Sequence, residues 1–173
     1  MSKITELTIG KVVEINEQGE KVVTNPGKTI KGKGSFFFTR KADKKYKSTD
    51  KEGNEIDGVS AIFNDLTMYN DMALIKFWDC AAANHPSLEV TEEEIIEEIQ
   101  KIADEQGTAP LFAGALEVFT KGFYKDKVDN QDFMMQLSVS KEKDPEKKAE
   151  LEGNIEMLKE IRNHVANTSI TQN

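Results

Sequence analysis

Residues 27–34 (GKTIKGKG) come closest to a phosphate-binding loop, in which backbone amides and a lysine hold the phosphates of a nucleotide. The segment fits the spacing G-x-x-x-x-G-K, but Gly34 stands where a serine or threonine would bind Mg²⁺. Pro26 interrupts the strand that should precede such a loop, and no parallel-strand pattern follows it. The sequence therefore favours a flexible basic loop over a nucleotide site.

The other reactive residue types form no recognisable catalytic or metal-binding group. His85 and His164 lie far apart in the sequence, whereas a zinc site needs three or four converging ligands. The glutamates within residues 92–98 are expected on the solvent side of a helix, so no pair should face one cleft as in a glycosidase. Cys80, the single cysteine, lies near Trp78 and is predicted to be a buried free thiol. We therefore predict a protein that is not an enzyme and binds no cofactor or metal.

The composition indicates a soluble protein with one domain, or with one domain and a short arm. The chain has 173 residues, of which 38% are hydrophobic and 31% are charged, and this length suffices for a single core. No apolar run approaches the roughly 20 residues that span a bilayer. The N-terminus lacks the apolar segment of a secretory signal. We therefore expect a cytoplasmic protein without a membrane partner.

Charge is divided unevenly along the chain. Residues 1–50 contain 11 Lys/Arg and 6 Asp/Glu, a net charge of +5, whereas residues 51–173 contain 12 and 25, a net charge of −13. An acidic body repels the phosphates of nucleic acids. The basic segment suits an acidic partner such as another copy of the same protein, and the alternative is a solvated, mobile arm.

The N-terminal segment is predicted to be a small β element. Apolar residues alternate over residues 4–24, Gln18-Gly19 is a candidate hairpin turn, and Asn25-Pro26-Gly27 breaks the pattern. A small sheet of this kind is not stable alone, so it must pack on helices or on a neighbouring subunit.

Helical spacing of apolar residues dominates from residue 35 onwards. The predicted helices cover residues 36–47, 59–68, 72–84, 91–106, 110–123 and 145–165. A strand through residues 36–38 that continues into a shorter helix is the alternative for the first of them, and residues 126–140 fit a short helix or an edge strand. Residues 47–58 show no periodicity and are predicted to be an exposed loop. The fold class is therefore mainly α (α+β), a helical domain with a small N-terminal β-hairpin or sheet.

Three local signals add detail to the predicted helices. Ser35 is the candidate N-cap of the first helix, and Thr91 with Glu94 forms a capping box at the fourth. Trp78 lies on one helical stripe with Leu74 and Ala81, which predicts that its ring is buried in the core.

The last predicted helix carries a narrow apolar seam behind the charged segment 141–148. The seam consists of Leu151, Ile155, Leu158, Ile161 and Val165. We expect it either to pack on the core or to contact a partner in an intermolecular groove. The chain accordingly divides into an N-terminal β arm (1–34), a helical core domain (35–140) and a C-terminal charged linker and helix (141–173).

Residues 38–46 (FTRKADKKY) fit the form F-x-R-x-x-D-K-K-Y. They are followed by a glycine-containing loop, then by an apolar helical pair, and then by a charged helix ahead of a Leu-Phe pair. The residues that carry this order are Phe38, Arg40, Asp43, Lys44, Lys45, Tyr46, Gly53, Gly58, Ala73, Leu74, Ala81, Pro86, Ser87, Glu93 to Ile102, Leu111 and Phe112. Over residues 30–125 the chain thereby resembles the tail assembly chaperones of siphophages that infect Gram-positive bacteria. Its N-terminal segment is longer than the minimal hairpin of that family.

The resemblance implies a non-enzymatic escort that coats the tape measure protein, keeps it soluble while the major tail protein polymerises around it, and then leaves. It also implies self-association into rings or spirals, a location in the cytoplasm of the infected bacterial host and absence from the mature virion. The candidate contacts with the tape measure protein are the seam residues of the last helix. The candidate oligomer contacts are Lys28, Lys31, Lys33, Phe36 and Phe37.

Two other functions fit parts of the sequence. A nucleic-acid-binding module could stack bases on the phenylalanines of residues 36–38 beside the basic arm, although the acidic body opposes this. A minor structural protein of the tail is the other alternative.

Overall fold

A computed structural model describes the backbone of residues 3–168 and the side chains of residues 3–164. Within this range the chain forms seven helices and three short antiparallel strand pairs, so the predicted fold class is confirmed. The strands are β1 (Glu6–Ile9), β2 (Val12–Ile15), β3 (Lys21–Asn25), β4 (Lys28–Lys31), β5 (Ser48–Thr49) and β6 (Glu55–Ile56). The helices are α1 (Phe36–Lys45), α2 (Gly58–Thr67), α3 (Asp71–Ala82), α4 (Glu92–Gln106), α5 (Ala109–Lys121), α6 (Lys125–Lys141) and α7 (Pro145–Thr168).

The first four strands form a two-stranded ribbon in two parts. In the base, β1 pairs with β4, and in the tip, β2 pairs with β3 around the predicted turn at Gly19. Gly27 lies where the two parts meet; its φ is +72°, and an added Cβ would lie 2.5 Å from the carbonyl oxygen of Ile9. Only glycine is compatible with both constraints, so Gly27 allows the chain to pass from β3 into β4 close to the end of β1.

The two parts of the ribbon have opposite environments. Leu7, Ile9 and Ile30 of the base are buried in the same core as the helices, and the base contacts α3 and α4. Every residue of β2 and β3 in the tip is exposed. The base is therefore part of the packed body, and the tip projects from it.

Three segments show how the structure decides between the local alternatives of the sequence. The Ser35 hydroxyl accepts a hydrogen bond from the Phe38 amide, so α1 begins at Phe36 and the alternative of a strand through residues 36–38 is wrong. Residues 47–55 are exposed as predicted, but Ile56 and Asp57 are partly buried and Gly58 is buried. The segment also contains the paired strands β5 and β6, because the Asp50 carboxylate accepts from the amides of Glu52 and Asn54 and organises the turn. Residues 125–141 form one helix, and the edge-strand alternative is wrong.

Aromatic rings occupy the centre of the core. The ring of Phe38 from α1 lies 5.7 Å from Phe77 of α3, 6.2 Å from Phe119 of α5 and 5.6 Å from Tyr124, measured between centroids. Trp78 packs edge-on against Phe77 and is completely buried, as its position on the helical stripe predicts. These contacts unite three helices and the residue that precedes α6.

Replacement of Trp78 by alanine is predicted to lower the free energy of unfolding by about 3–5 kcal/mol, because it leaves a large cavity in this core. Urea denaturation measures the change, with Phe36→Ala as the control because the Phe36 ring is 80% exposed. Emission typical of a fully solvated indole in the native protein would contradict the buried position.

Candidate binding surface

A buried carboxylate joins α1, α3 and α4. Asp79 of α3 is 5% exposed and lies 2.9 Å from the Lys41 ammonium. The same carboxylate accepts hydrogen bonds from Lys45 at 3.1 Å and from the Tyr46 hydroxyl at 2.7 Å. Lys45 also pairs with Glu92 at the start of α4. All of these donors have intramolecular partners, so this junction holds α1, α3 and α4 together.

The electrostatics of the junction agree with a structural role. Burial acts to raise the pKa of Asp79, but hydrogen bonds from Lys41, Tyr46 and Lys45 outweigh it and hold the pKa below its usual value. Burial raises the pKa of the neighbouring Cys80 thiol to about 12. At neutral pH this cysteine is therefore a protonated thiol rather than a nucleophilic thiolate.

A second polar contact docks α2 on α1. The Asp43 carboxylate accepts a hydrogen bond of 2.9 Å from the Gly58 amide at the first residue of α2. A Cβ at Gly58 would lie 2.0 Å from the carbonyl oxygen of Ala42, so only glycine allows this approach of the two backbones. Asp43 thus joins α1 to α2, and Lys41, Lys45 and Tyr46 of the same segment join α1 to α3.

The other candidate chemical groups do not form sites. Residues 28–31 of the glycine-rich segment form β4 and pair with β1, so this part is neither a phosphate loop nor the flexible loop that the sequence favoured. The Lys28 ammonium contacts the carbonyl oxygen of Glu89 and the carboxylate of Glu94. The described residues contain no cluster of His, Cys, Asp or Glu that could hold a metal ion.

An open apolar groove lies between α2, α6 and α7. Its volume is about 520 Å³, and three methionines, Met68, Met134 and Met135, line it together with Leu158. Met68 is 62% exposed and Met134 is 52% exposed. Thioether side chains are flexible and polarisable, so a groove of this kind adapts to different apolar ligands. We call these four residues and the space between them the methionine groove.

The structure places the predicted seam of α7 against the protein's own helices. Leu151, Ile155, Leu158 and Ile161 are partly buried, and α7 contacts α2, α5 and α6. Leu158 lines the methionine groove, and Ile161 lines an adjoining cavity of about 420 Å³ with Met68 and Tyr69. The side chain of Val165 lies outside the described residues. Contact of the seam with a partner stays a prediction.

The predicted oligomer contacts do not form one cluster. Lys28 lies against α4, and Lys31 pairs with Glu6 at 3.5 Å within the base of the ribbon, whereas Lys33 is exposed. The exposed Phe36 ring packs edge-on against Phe123, with 5.1 Å between centroids.

Phe37 is also exposed, and the Arg40 guanidinium lies 5.6 Å from the centroid of its ring. Among the described residues, the methionine groove and the ribbon tip are apolar surfaces that sequence reasoning missed. The high valine and isoleucine content of β2 and β3 was the available signal for the tip.

Comparison with known families gives one match. A family model described as phage tail assembly chaperone protein, TAC, matches residues 23–131, which is well over half of the chain. The chain belongs to this phage tail assembly chaperone family. Neither the comparison with curated proteins nor the comparison with solved structures gives a significant match.

The family match covers most of the helical body but not the last helix. The matched residues run from within β3 into α6, so they include the Asp79 junction, the aromatic core and the Met68 side of the methionine groove. Helix α7 lies outside the match. None of the helices in the described part of this chaperone-family protein is both long and apolar enough to cross a membrane.

Replacement of Asp79 by asparagine is predicted to lower the free energy of unfolding at pH 7 by about 1–3 kcal/mol, because charge-assisted hydrogen bonds are lost. The depressed folded-state pKa means that the ionised carboxylate stabilises the fold fully above about pH 3.9, the ordinary aspartate value. This contribution is lost as the pH falls through the folded-state pKa, so the difference between the two proteins should shrink in acid.

Denaturation curves at several pH values test this prediction, with Asp104→Asn as the control because Asp104 is exposed on α4. A stability difference that stays constant down to pH 2 would contradict the assignment of the effect to the Asp79 charge.

Proposed function

We propose that this chain is a non-enzymatic tail assembly chaperone that binds the tape measure protein of a siphophage of Gram-positive bacteria and keeps it soluble during tail assembly. It acts in the cytoplasm of the infected host and is absent from the mature virion. Membership of the family supports the general role. The observation that carries the finer proposal is the open methionine groove.

The groove suits an amphipathic helix. A helix that docks in an apolar groove inserts residues spaced 3 or 4 apart, and the methionines supply a surface that can accept varied side chains. Asn64, Asn130 and Gln131 line the same groove and provide polar groups at its edge. Such a site binds many helical stripes with similar strength and without demanding one sequence.

Many weak contacts fit the proposed task better than one tight contact. A long tape measure protein presents repeated apolar stripes, and chaperone copies bound side by side gain avidity through their connection. Each copy can still dissociate when the tail tube replaces it, because a single groove makes only limited contact.

Substitution of the groove methionines should weaken this interaction. The double variant Met68→Gln/Met134→Gln keeps side-chain length but removes apolar surface, so affinity for the tape measure protein should fall by about tenfold. The assay is co-expression of the chaperone with the tape measure protein of the same phage, followed by measurement of the soluble and co-purified tape measure protein.

The matched control is Met72→Gln/Met157→Gln. These residues are exposed to a similar degree, 54% and 49%, and do not line the groove. Equal loss of soluble tape measure protein in both variants would contradict the groove as the site. A tape measure protein that is equally insoluble with and without the wild-type chaperone would contradict the proposed function itself.

Self-association is the second part of the proposal, and the ribbon tip is its best candidate. In β2 and β3, Val13 pairs with Val23, and Ile15 lies two residues from Val13, so these side chains share one exposed face. An isolated two-stranded ribbon is at best marginally stable in water. Contact of this face with the next copy in a ring or spiral would stabilise the tip and leave the body free for the tape measure protein.

The triple variant Val13→Thr/Ile15→Thr/Val23→Thr is predicted to lower the oligomer mass at a given concentration, because it makes this face polar while threonine keeps strand preference. Light scattering across protein and salt concentrations is the measurement. Val22→Thr, on the opposite face and 42% exposed, is the control.

A fall of the mass with rising salt in the wild type would show that the contrast between the +5 segment and the −13 body contributes. Mass that does not depend on salt would assign assembly to apolar contacts. A strict monomer at high concentration in low salt would contradict self-association.

A further inference from the structure

Helix α7 lies along α2, α5 and α6 and is less deeply buried than the core helices. Its four described seam residues are only partly buried. Cavities of about 330, 420 and 520 Å³ lie along its contacts with α6 and α2. These cavities are open to solvent, and no described residue of α7 is fully buried, whereas α3 and α5 each bury eight residues. Helix α7 is therefore held to the body by less buried apolar surface than a core helix.

The seam of α7 has the form that the proposed ligand would have. Leu151, Ile155, Leu158 and Ile161 are spaced 4, 3 and 3 residues apart, which is the pattern of an amphipathic helix in a groove. Leu158 forms part of the wall of the methionine groove. The helix therefore already presents an apolar stripe to the surface at which we place the tape measure protein.

We propose that α7 is an intramolecular substitute for the tape measure helix: in the free chaperone it covers the part of the docking surface beside the open methionine groove, and it is displaced when the tape measure protein binds. This inference rests on the proposed function and concerns the regulation of the same site. It is consistent with the family match, which ends within α6 and does not include α7.

In the described part of the chain, an ion pair attaches the C-terminal half of α7 to α6. Arg162 Nη1 donates to both carboxylate oxygens of Asp132 on α6, at 2.7 and 2.9 Å. The Arg162 guanidinium also lies 4.9 Å from the centroid of the Phe63 ring on α2. Charge-assisted hydrogen bonds and cation–π contacts are directional. The contacts of Arg162 with Asp132 and Phe63 therefore fix the position of α7 on the body more specifically than its apolar contacts do.

The connection before α7 is short, and its side-chain hydrogen bonds are local. Residues 142–144 join α6 to α7, and Glu142 has an extended backbone conformation. The Glu142 carboxylate accepts from the amides of Lys143 and Asp144, and the Asp144 carboxylate accepts from Glu146 at the start of α7. Rotation at this joint leaves the hydrogen bonds within both helices intact.

The consequence is a threshold for ligand binding. An outside helix binds only those molecules in which α7 is displaced. The apparent affinity is therefore the intrinsic affinity multiplied by the fraction of molecules in that displaced state. A free chaperone therefore hides apolar surface, and a ligand with several stripes can open many copies through avidity.

The test uses the intact chain and a fluorescent peptide of residues 145–168 as the probe. The Arg162→Ala substitution weakens the attachment of the chain's own α7 to the body. Asp132 remains available to Arg162 of the peptide. We expect this variant to bind the peptide about tenfold more tightly than the wild-type chain, by fluorescence anisotropy. Asp132→Ala is the matched variant. It removes the ion-pair partner of both the chain's own α7 and the peptide, so the affinity for the peptide should rise little above that of the wild-type chain.

The peptide also provides controls that cannot disturb folding of the chain. A peptide with Leu158→Gln or with Arg162→Ala should bind the Arg162→Ala chain more weakly than the wild-type peptide. Absence of peptide binding to an Arg162→Ala chain that keeps its native Trp78 fluorescence would overturn the inference, because α7 would then be a fixed part of the fold. Equal binding of all peptides would also overturn it.

Failure of this inference and failure of the proposed function give different results. The peptide assay does not involve the tape measure protein, so a negative result leaves chaperone activity in co-expression unchanged. A purified complex of Arg162→Ala chaperone and tape measure protein should not bind the peptide, because the surface is occupied. A complex that binds the peptide as well as the free variant would contradict a shared docking surface.

Discussion

The packing of Phe38 against three other aromatic rings is the contact on which the rest of the structure depends. It brings α1, α3 and α5 together at one point and fixes Tyr124, the residue before α6. The Tyr124 hydroxyl donates to the Ser35 carbonyl at 3.1 Å and lies 2.9 Å from the Thr39 hydroxyl. Because α6 starts at this fixed position, the wall of the methionine groove that α6 supplies is set by the aromatic core.

Polar contacts then select how the helices meet around that core. Aromatic pairs prefer particular relative orientations of their rings, and the Asp79 junction and the Asp43–Gly58 contact add hydrogen bonds between specific atoms of neighbouring helices. Both contacts use residues of the FTRKADKKY segment. The segment that carries the family resemblance is thus explained by helix docking.

Much of the fold could be predicted because its signals are local. The Ser35 cap, the Thr91–Glu94 capping box and the burial of Trp78 each follow from a few neighbouring residues. The strands β5 and β6 depend instead on side-chain hydrogen bonds of Asp50, which leave no hydrophobic period. Helix α6 was ambiguous because its apolar residues do not fall on one helical face.

The binding surface was predicted less completely because it is assembled from distant segments. The seam of α7 is visible as spacing along one helix, and sequence reasoning found it without deciding what it contacts. The methionine groove combines Met68 with Met134, and only the tertiary structure brings these residues together. The charge of residues 1–50 also misleads when read alone, since Lys28 and Lys31 have acidic neighbours in the same chain.

Hydrogen–deuterium exchange of the chaperone, alone and in complex with the tape measure protein, tests the central claim most directly. The account predicts that binding slows amide exchange in α2 and α6 along the methionine groove and accelerates it in α7, because the tape measure helix replaces α7 on the body. Protection confined to another surface, with exchange in α2, α6 and α7 unchanged, would contradict the account.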